Sequence, residues 1–151
     1  MAQTASPRVR SKQLVTASPD QTPDRAASFF HHRLAFETDP SDVHHDQSHG
    51  VADFVVLDAR QVEAFEACRV PGAIHMPHGR IRQSTTRDFD RGQLIVTYCW
   101  GPGCNAATKA AAKLSALGFR VREMIGGLEY WRREGHPVEG HEGNDAPLAG
   151  S

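Results

Sequence analysis

The β-branched and aromatic run Leu94-Ile95-Val96-Thr97-Tyr98 leads straight into Cys99-Trp100-Gly101-Pro102-Gly103-Cys104-Asn105, and an alanine-rich stretch follows. A cysteine placed where a buried strand gives way to a helix meets unpaired backbone N–H groups and the positive end of the helix dipole. Both favour thiolate over thiol, so the ordinary thiol pKa of ~8.5 falls and Cys99 becomes a nucleophile. Gly101 and Gly103 let the loop fold into a cup with its amides turned inward, and Pro102 restricts how that cup relaxes. Such a cup suits an anion or a charged sulfur species. A sulfur atom accepted by Cys99 Sγ would give Cys–S–S⁻, its terminal sulfur stabilised among the amides of residues 100 to 104 without a metal or organic cofactor. The plain alternative is an inert core cysteine, which needs no Gly-Pro-Gly cup.

Cys104 stands five residues after Cys99, at the far end of the same loop. That spacing allows a disulfide, or attack on a persulfide, and would make Cys104 a resolving thiol. Otherwise Cys104 packs under the helix start as a small apolar residue. Cys68 has no partner visible in sequence and reads as packing. Trp100 is expected to form one wall of the pocket, whereas Trp131, at helical spacing from Leu128, belongs in the core. Two sulfurs on one tight loop are a weak zinc signal. His45 and His49 share a helical face, with His31, His32 and His44 nearby, yet no Cys or carboxylate completes a ligand set, so neither metal nor cofactor is expected. His75 and His78 are read as structural.

The elements that must position Cys99 follow from the rest of the chain. Thr22-Pro23-Asp24 caps a helix over Arg25–Arg33, followed by an extended Leu34–Thr38, and Asp39-Pro40 starts a second helix stopped by Gly50. Phe54-Val55-Val56-Leu57 reads as a strand buried on both faces, ended by Asp58. A short helix over Val62–Ala67 precedes the turn Pro71-Gly72 and the strand Ala73–Met76. Beyond the Cys99 loop, Ala107, Ala110, Ala111, Leu114 and Leu117 mark one face of a helix ended by Gly118. Phe119–Ile125 alternates as a last strand, and Leu128–Glu134 makes a last helix stopped by Gly135 and Pro137. Strands alternating with helices call for a parallel sheet covered on both faces, with the site at the carboxyl ends of its strands. Asp58 and Cys99 both occupy such ends. Residues 1–22 and 140–151 are aperiodic and polar, and are expected as flexible arms around one folded unit over residues 23–139.

Val56-Leu57-Asp58-Ala59-Arg60, Glu63-Ala64-Phe65, Val70-Pro71-Gly72-Ala73-Ile74, Tyr98-Cys99 and Met124-Ile125-Gly126-Gly127-Leu128 with Trp131 resemble, in order and spacing, the rhodanese family. The resemblance covers roughly residues 51 to 140. It implies a three-layer α/β domain with about five parallel strands, and an active loop of Cys99 with Trp100 to Cys104, in which Cys99 accepts sulfur. Asp58 and Arg60 match the family's Asp-x-Arg, which buttresses the loop or helps position an anionic donor. The family transfers sulfane sulfur from thiosulfate, a mercaptopyruvate or a protein persulfide to a thiol or cyanide. Three departures stand out. The family's Gly-His is replaced by Cys68-Arg69, where Arg69 is either a positive charge for an anionic donor or a solvated surface residue. No basic side chain follows Cys99, which argues against thiosulfate. Cys104 fills the last loop position. Related folds with phosphatase or arsenate reductase activity grip an oxyanion with Arg where this chain has Asn105, so that chemistry is not expected.

The expected function is therefore a sulfurtransferase working by double displacement through Cys99, supported by Asp58 and Arg60. Two alternatives stay open: a thiol-disulfide redox protein using Cys99 and Cys104, or a non-catalytic binding module of the same fold. A formal net charge of -1 from 17 basic and 18 acidic residues gives no footprint for nucleic acid or an anionic membrane. The expected partners are a small sulfur donor or protein persulfide and a thiol acceptor. No apolar run spans a bilayer and no secretory signal is visible, so the expected location is cytoplasmic.

Overall fold

The computed structural model describes residues 14–16 and 21–148. The expected N-terminal arm falls largely outside them. Helix α1, Pro23–Phe36, begins with the Thr22 hydroxyl accepting the Arg25 N–H and with Pro23 in its first turn. It runs past Arg33: Leu34, Ala35 and Phe36, expected as extended, complete its last turn, and only Glu37–Thr38 forms strand β1. Arg122 accounts for the difference. Its Nη2 donates to the carbonyls of Leu34 and Glu37, each at 2.6 Å, satisfying the open end of the helix from a distant strand.

Asp39 then caps α2, Pro40–Ser48, accepting the Asp42 N–H at 2.9 Å. The remaining elements are β2 (Phe54–Asp58), α3 (Val62–Ala67), β3 (Ile74–His75), β4 (Leu94–Tyr98), α4 (Ala106–Ala116), β5 (Val121–Met124) and α5 (Gly127–Arg133). The five strands lie in the order β1-β5-β4-β2-β3, and every neighbouring pair is parallel. The expected three-layer α/β architecture is what forms. The two-residue strand period divides the core. Val56, Val96, Tyr98 and Met124 point to one face and pack with Val43, Leu128 and Trp131, while Leu57 and Ile95 point to the other and pack with Ala110, Leu114 and Phe119. Alanines on α4 let that helix sit close to β4, and the Thr97 hydroxyl donates to the Ala107 carbonyl at 3.1 Å, pinning the end of the strand to the start of the helix.

The fold does not end at residue 139 as expected. Arg69 and Glu139 exchange both backbone hydrogen bonds, at 2.8 and 3.0 Å. The His141 and Glu142 amides donate to the carbonyls of Glu66 and Ala67, each at 3.0 Å, and Arg132 donates to the carbonyls of Asn144 and Ala146. Ala146 is buried in the core. The expected tail is thus folded through residue 148, held mainly by backbone groups that its polar side chains do not advertise.

Candidate active site

Asp58 at the end of β2 stands in register with Tyr98 at the end of β4, and both side chains lie on the same buried face. The Tyr98 hydroxyl donates to Asp58 Oδ2 at 2.6 Å and accepts the Val70 N–H at 3.1 Å. Arg60 completes the cluster. Its Nη2 donates to Asp58 Oδ2 at 2.6 Å and its Nε to Oδ1 at 3.0 Å, and Nη2 also reaches the Cys68 carbonyl. Burial works against the Arg60 charge, but the chelating Asp58 carboxylate outweighs it and holds the guanidinium cationic. Burial, and then the Asp58 charge, push the Tyr98 hydroxyl well above its ordinary range, so it remains a donor.

Two readings of Asp58 and Arg60 come from the sequence, buttress or donor site, and the geometry favours the buttress. Arg60 is only 2% exposed, and its guanidinium lies 4.6 Å from the centroid of the Trp100 ring. The His75 ring bonds the Arg60 carbonyl at 2.7 Å and stacks on Phe65, holding the same corner from β3. The pair supports the loop from beneath. Trp100, expected as a pocket wall, instead covers this cluster and does not line the pocket.

Helix α5 fixes the loop from the other side. Its Leu128 and Glu129 amides donate to the carbonyls of Cys99 and Trp100 at 3.0 and 2.8 Å. Gly127, at φ +60°, makes that approach possible: a Cβ there would lie 2.5 Å from the Cys99 carbonyl oxygen and 2.8 Å from the Gly101 nitrogen. Within the loop, the Cys104 N–H donates to the Gly101 carbonyl at 3.1 Å. That amide is turned along the loop, so the expected inward-facing cup lacks it. Cys99 and Cys104 are joined as a disulfide with their Cα atoms 6.3 Å apart. Cys104 is therefore a bonding partner of Cys99 rather than a lone packing residue. Cys68 is a buried free thiol, its pKa raised by burial.

A pocket of about 270 Å³ opens beside the loop, lined by Cys99, Gly101, Pro102, Gly103, Cys104 and Asn105 together with residues of α4, β5 and Gly126-Gly127. Asn105 stands at the start of α4 without a side-chain capping bond. No Lys or Arg lines this pocket; its charged residue is Glu123 of β5, whose carboxylate accepts the Thr108 hydroxyl at 2.9 Å. Burial and the in-register Glu37 raise the Glu123 pKa, opposed by the Thr108 hydrogen bond. Glu129, paired with Arg133, rests against Gly101. Sequence reading passed over Glu123, although an acidic residue at the carboxyl end of a β-strand beside the cysteine loop was the available signal. Arg69 is engaged elsewhere: it stacks on Phe65 at 4.7 Å and donates to the Phe65 carbonyl, with Glu139 3.7 Å away. Among the described residues no group of three or more His, Cys, Asp or Glu side chains is arranged to hold a metal ion. No helix among them is long and apolar enough to cross a membrane.

A family model described as the rhodanese-like domain matches residues 39–134. The chain belongs to the rhodanese-like domain family. The thiosulfate sulfurtransferase GlpE of Actinobacillus succinogenes is 34% identical over 87 residues, covering 56% of this chain and 75% of that protein. The HTH-type transcriptional regulator Rv0324 of Mycobacterium tuberculosis is 31% identical over 90 residues, 58% of this chain but only 38% of the regulator. Among solved structures, the BH2092 protein from Bacillus halodurans matches with a TM-score of 0.83 at 45% identity, covering 86% of this chain and 95% of that one. In this rhodanese-like domain Cys99 directly follows Tyr98, the last residue of the central strand β4.

Proposed function

We propose that this rhodanese-like domain is a sulfurtransferase that carries sulfane sulfur as a persulfide on Cys99. The observation that carries the reading is the position of Cys99 itself: it directly follows β4, lines the pocket, and belongs to a loop held by α5 amides from one side and with the Asp58–Arg60 cluster beneath its Trp100. Rigid support of a nucleophile beside an open cavity is what a displacement at sulfur needs. The relatives named thiosulfate sulfurtransferase favour the same chemistry.

The pocket argues for a different donor from theirs. A thiosulfate dianion entering a cavity with a carboxylate and no cationic side chain gains no charge-assisted hydrogen bond from a lining Lys or Arg, each worth roughly 1.5–3 kcal/mol. A low-molecular-weight persulfide of lower charge than the thiosulfate dianion, or a protein persulfide, meets a smaller penalty.

The test is intact-protein mass spectrometry of reduced Cys104→Ser protein, in which the two loop sulfurs cannot pair, after exposure to thiosulfate or to cysteine persulfide. A gain of one sulfur, about 32 Da, that disappears when Cys99→Ser is added is the expected result. Equal loading by thiosulfate at low concentration would refute the donor assignment, and no gain with any donor would refute the persulfide. The Cys99–Cys104 bond favours a second reading, a dithiol-disulfide exchanger. In that case Cys104→Ser abolishes activity and no sulfur is ever gained.

A further inference from the structure

The two sulfurs of the loop are brought together by more than their bond. Thr97 ties the end of β4 to the first turn of α4, and the Cys104 amide folds back on the Gly101 carbonyl. With these ties in place the disulfide-bonded Cys99 and Cys104 have their Cα atoms 6.3 Å apart, inside the ~4.4–6.8 Å window in which cysteines pair. Both residues line one pocket, and Cys104 sits just before the start of α4, where no side chain caps the free amides. An uncapped start of this kind favours a thiolate. Cys99, by contrast, is only 3% exposed. An external thiol must reach a buried sulfur, whereas Cys104 is already beside it.

We infer that Cys104 discharges the Cys99 persulfide from within the loop, releasing the carried sulfur as sulfide. This rests on the persulfide reading of Cys99. The Cys104 thiolate attacks Cys99 Sγ, and the bond from Sγ to the terminal sulfur breaks with its electron pair leaving on that sulfur. The terminal sulfur, converted from Cys–S–S⁻ to Cys–S–SH by a proton from solvent before the attack, departs as HS⁻ while the Cys99–Cys104 disulfide forms. The sulfane sulfur is reduced to sulfide, and the two cysteine sulfurs are oxidised to the bonded state seen in this structure. A dithiol reductant then restores both thiols by exchange and is itself oxidised to a disulfide. The pocket assists departure, because Glu123 and the absence of a lining Lys or Arg give the HS⁻ anion nothing to stay for. Intramolecular attack by a positioned group also outruns the bimolecular route, since effective molarities for well-oriented groups reach roughly 10⁵ M or more.

The experiment loads reduced wild type and Cys104→Ser with one equivalent of cysteine persulfide, removes the donor by rapid desalting, and follows intact mass and free sulfide with no thiol added. Wild type is expected to release one sulfide per sulfur gained, with a first-order rate independent of protein concentration, ending about 2 Da below its reduced mass. Cys104→Ser is expected to keep its added ~32 Da until an external thiol is supplied. Cys104→Ala should behave as Cys104→Ser, which excludes an effect of the new hydroxyl. Wild type that keeps the added sulfur as long as Cys104→Ser does, or that forms the disulfide without releasing sulfide, overturns the inference while the persulfide reading stands. If none of the three proteins gains sulfur, both fall together.

Discussion

Gly127→Ala tests how the loop is held. The residue sits at φ +60°, and a left-handed conformation costs an L-residue with a Cβ roughly 1–2 kcal/mol. The new Cβ would lie 2.5 Å from the Cys99 carbonyl oxygen, 2.8 Å from the Gly101 nitrogen and 2.8 Å from the Trp100 carbonyl carbon. These are backbone atoms, so no side chain can swing aside, and the start of α5 must move away from the loop. Moving it loosens the Leu128 and Glu129 hydrogen bonds to the Cys99 and Trp100 carbonyls, each worth about 0.5–1.5 kcal/mol. The combined loss is roughly 2–5 kcal/mol, read as a lowered urea midpoint at unchanged slope. Two controls separate the contributions. Gly72 has φ +72° with nothing within 4 Å, so Gly72→Ala should cost only the conformational part, roughly 1–2 kcal/mol. Gly103 has open space and no left-handed backbone, so Gly103→Ala should stay within about 0.5 kcal/mol. If Gly127→Ala is no more harmful than Gly72→Ala, α5 does not clamp the loop in the way argued here.

Asp58→Ala leaves a buried guanidinium without its carboxylate and should destabilise the fold by about 3–5 kcal/mol in urea unfolding; adding Arg60→Met should recover part of that loss, and a double variant worse than the single would refute the pairing. Tyr98→Phe removes the donor to Asp58 and the acceptor of the Val70 amide, costing about 1–3 kcal/mol by the same measurement, while sulfur loading of Cys99 below the melting range stays within about twofold of wild type. Glu123 has its folded-state pKa above the ordinary 4.5, so protonation favours the fold and stability falls as pH rises through the raised value; Glu123→Gln should therefore raise Tm at neutral pH, with the gain vanishing near pH ~4, where both states are protonated. The neighbouring Glu37, itself paired with Arg33, and the Thr108 hydroxyl are the groups facing that carboxylate, and a gain that persists at low pH would assign it to packing instead. In the reduced native protein, a thiol reagent should modify the half-buried Cys104 first, Cys99, 3% exposed, more slowly, and Cys68, 1% exposed with a raised pKa, only on unfolding; Cys68 reacting as fast as Cys104 would contradict its burial.

Much of this protein is local and therefore legible in sequence. The apolar runs Phe54–Leu57 and Leu94–Tyr98, the alanine face of α4 and the Thr22 and Asp39 caps specify their elements through side-chain pattern and capping chemistry. Cys99 at a strand end, followed by Trp100 and then Gly-Pro-Gly, is a local pattern of the same kind. What the sequence could not show depends on groups brought from elsewhere in the chain. Leu34–Phe36 is helical because Arg122, 88 residues after Leu34, satisfies its carbonyls, and residues 141–148 are folded because their amides find carbonyls on Glu66 and Ala67 and Arg132 meets their own. Asp58 and Arg60 could be named from sequence, yet only the tertiary structure shows them buried under Trp100 and away from the pocket lining. The anionic character of the pocket is likewise a tertiary result, because β5 lies beside β4 and sets Glu123 facing the cysteine loop. Residue types along the chain determine which chemistry is available, and the packing of parallel strand ends determines which side chains are free to take part in it.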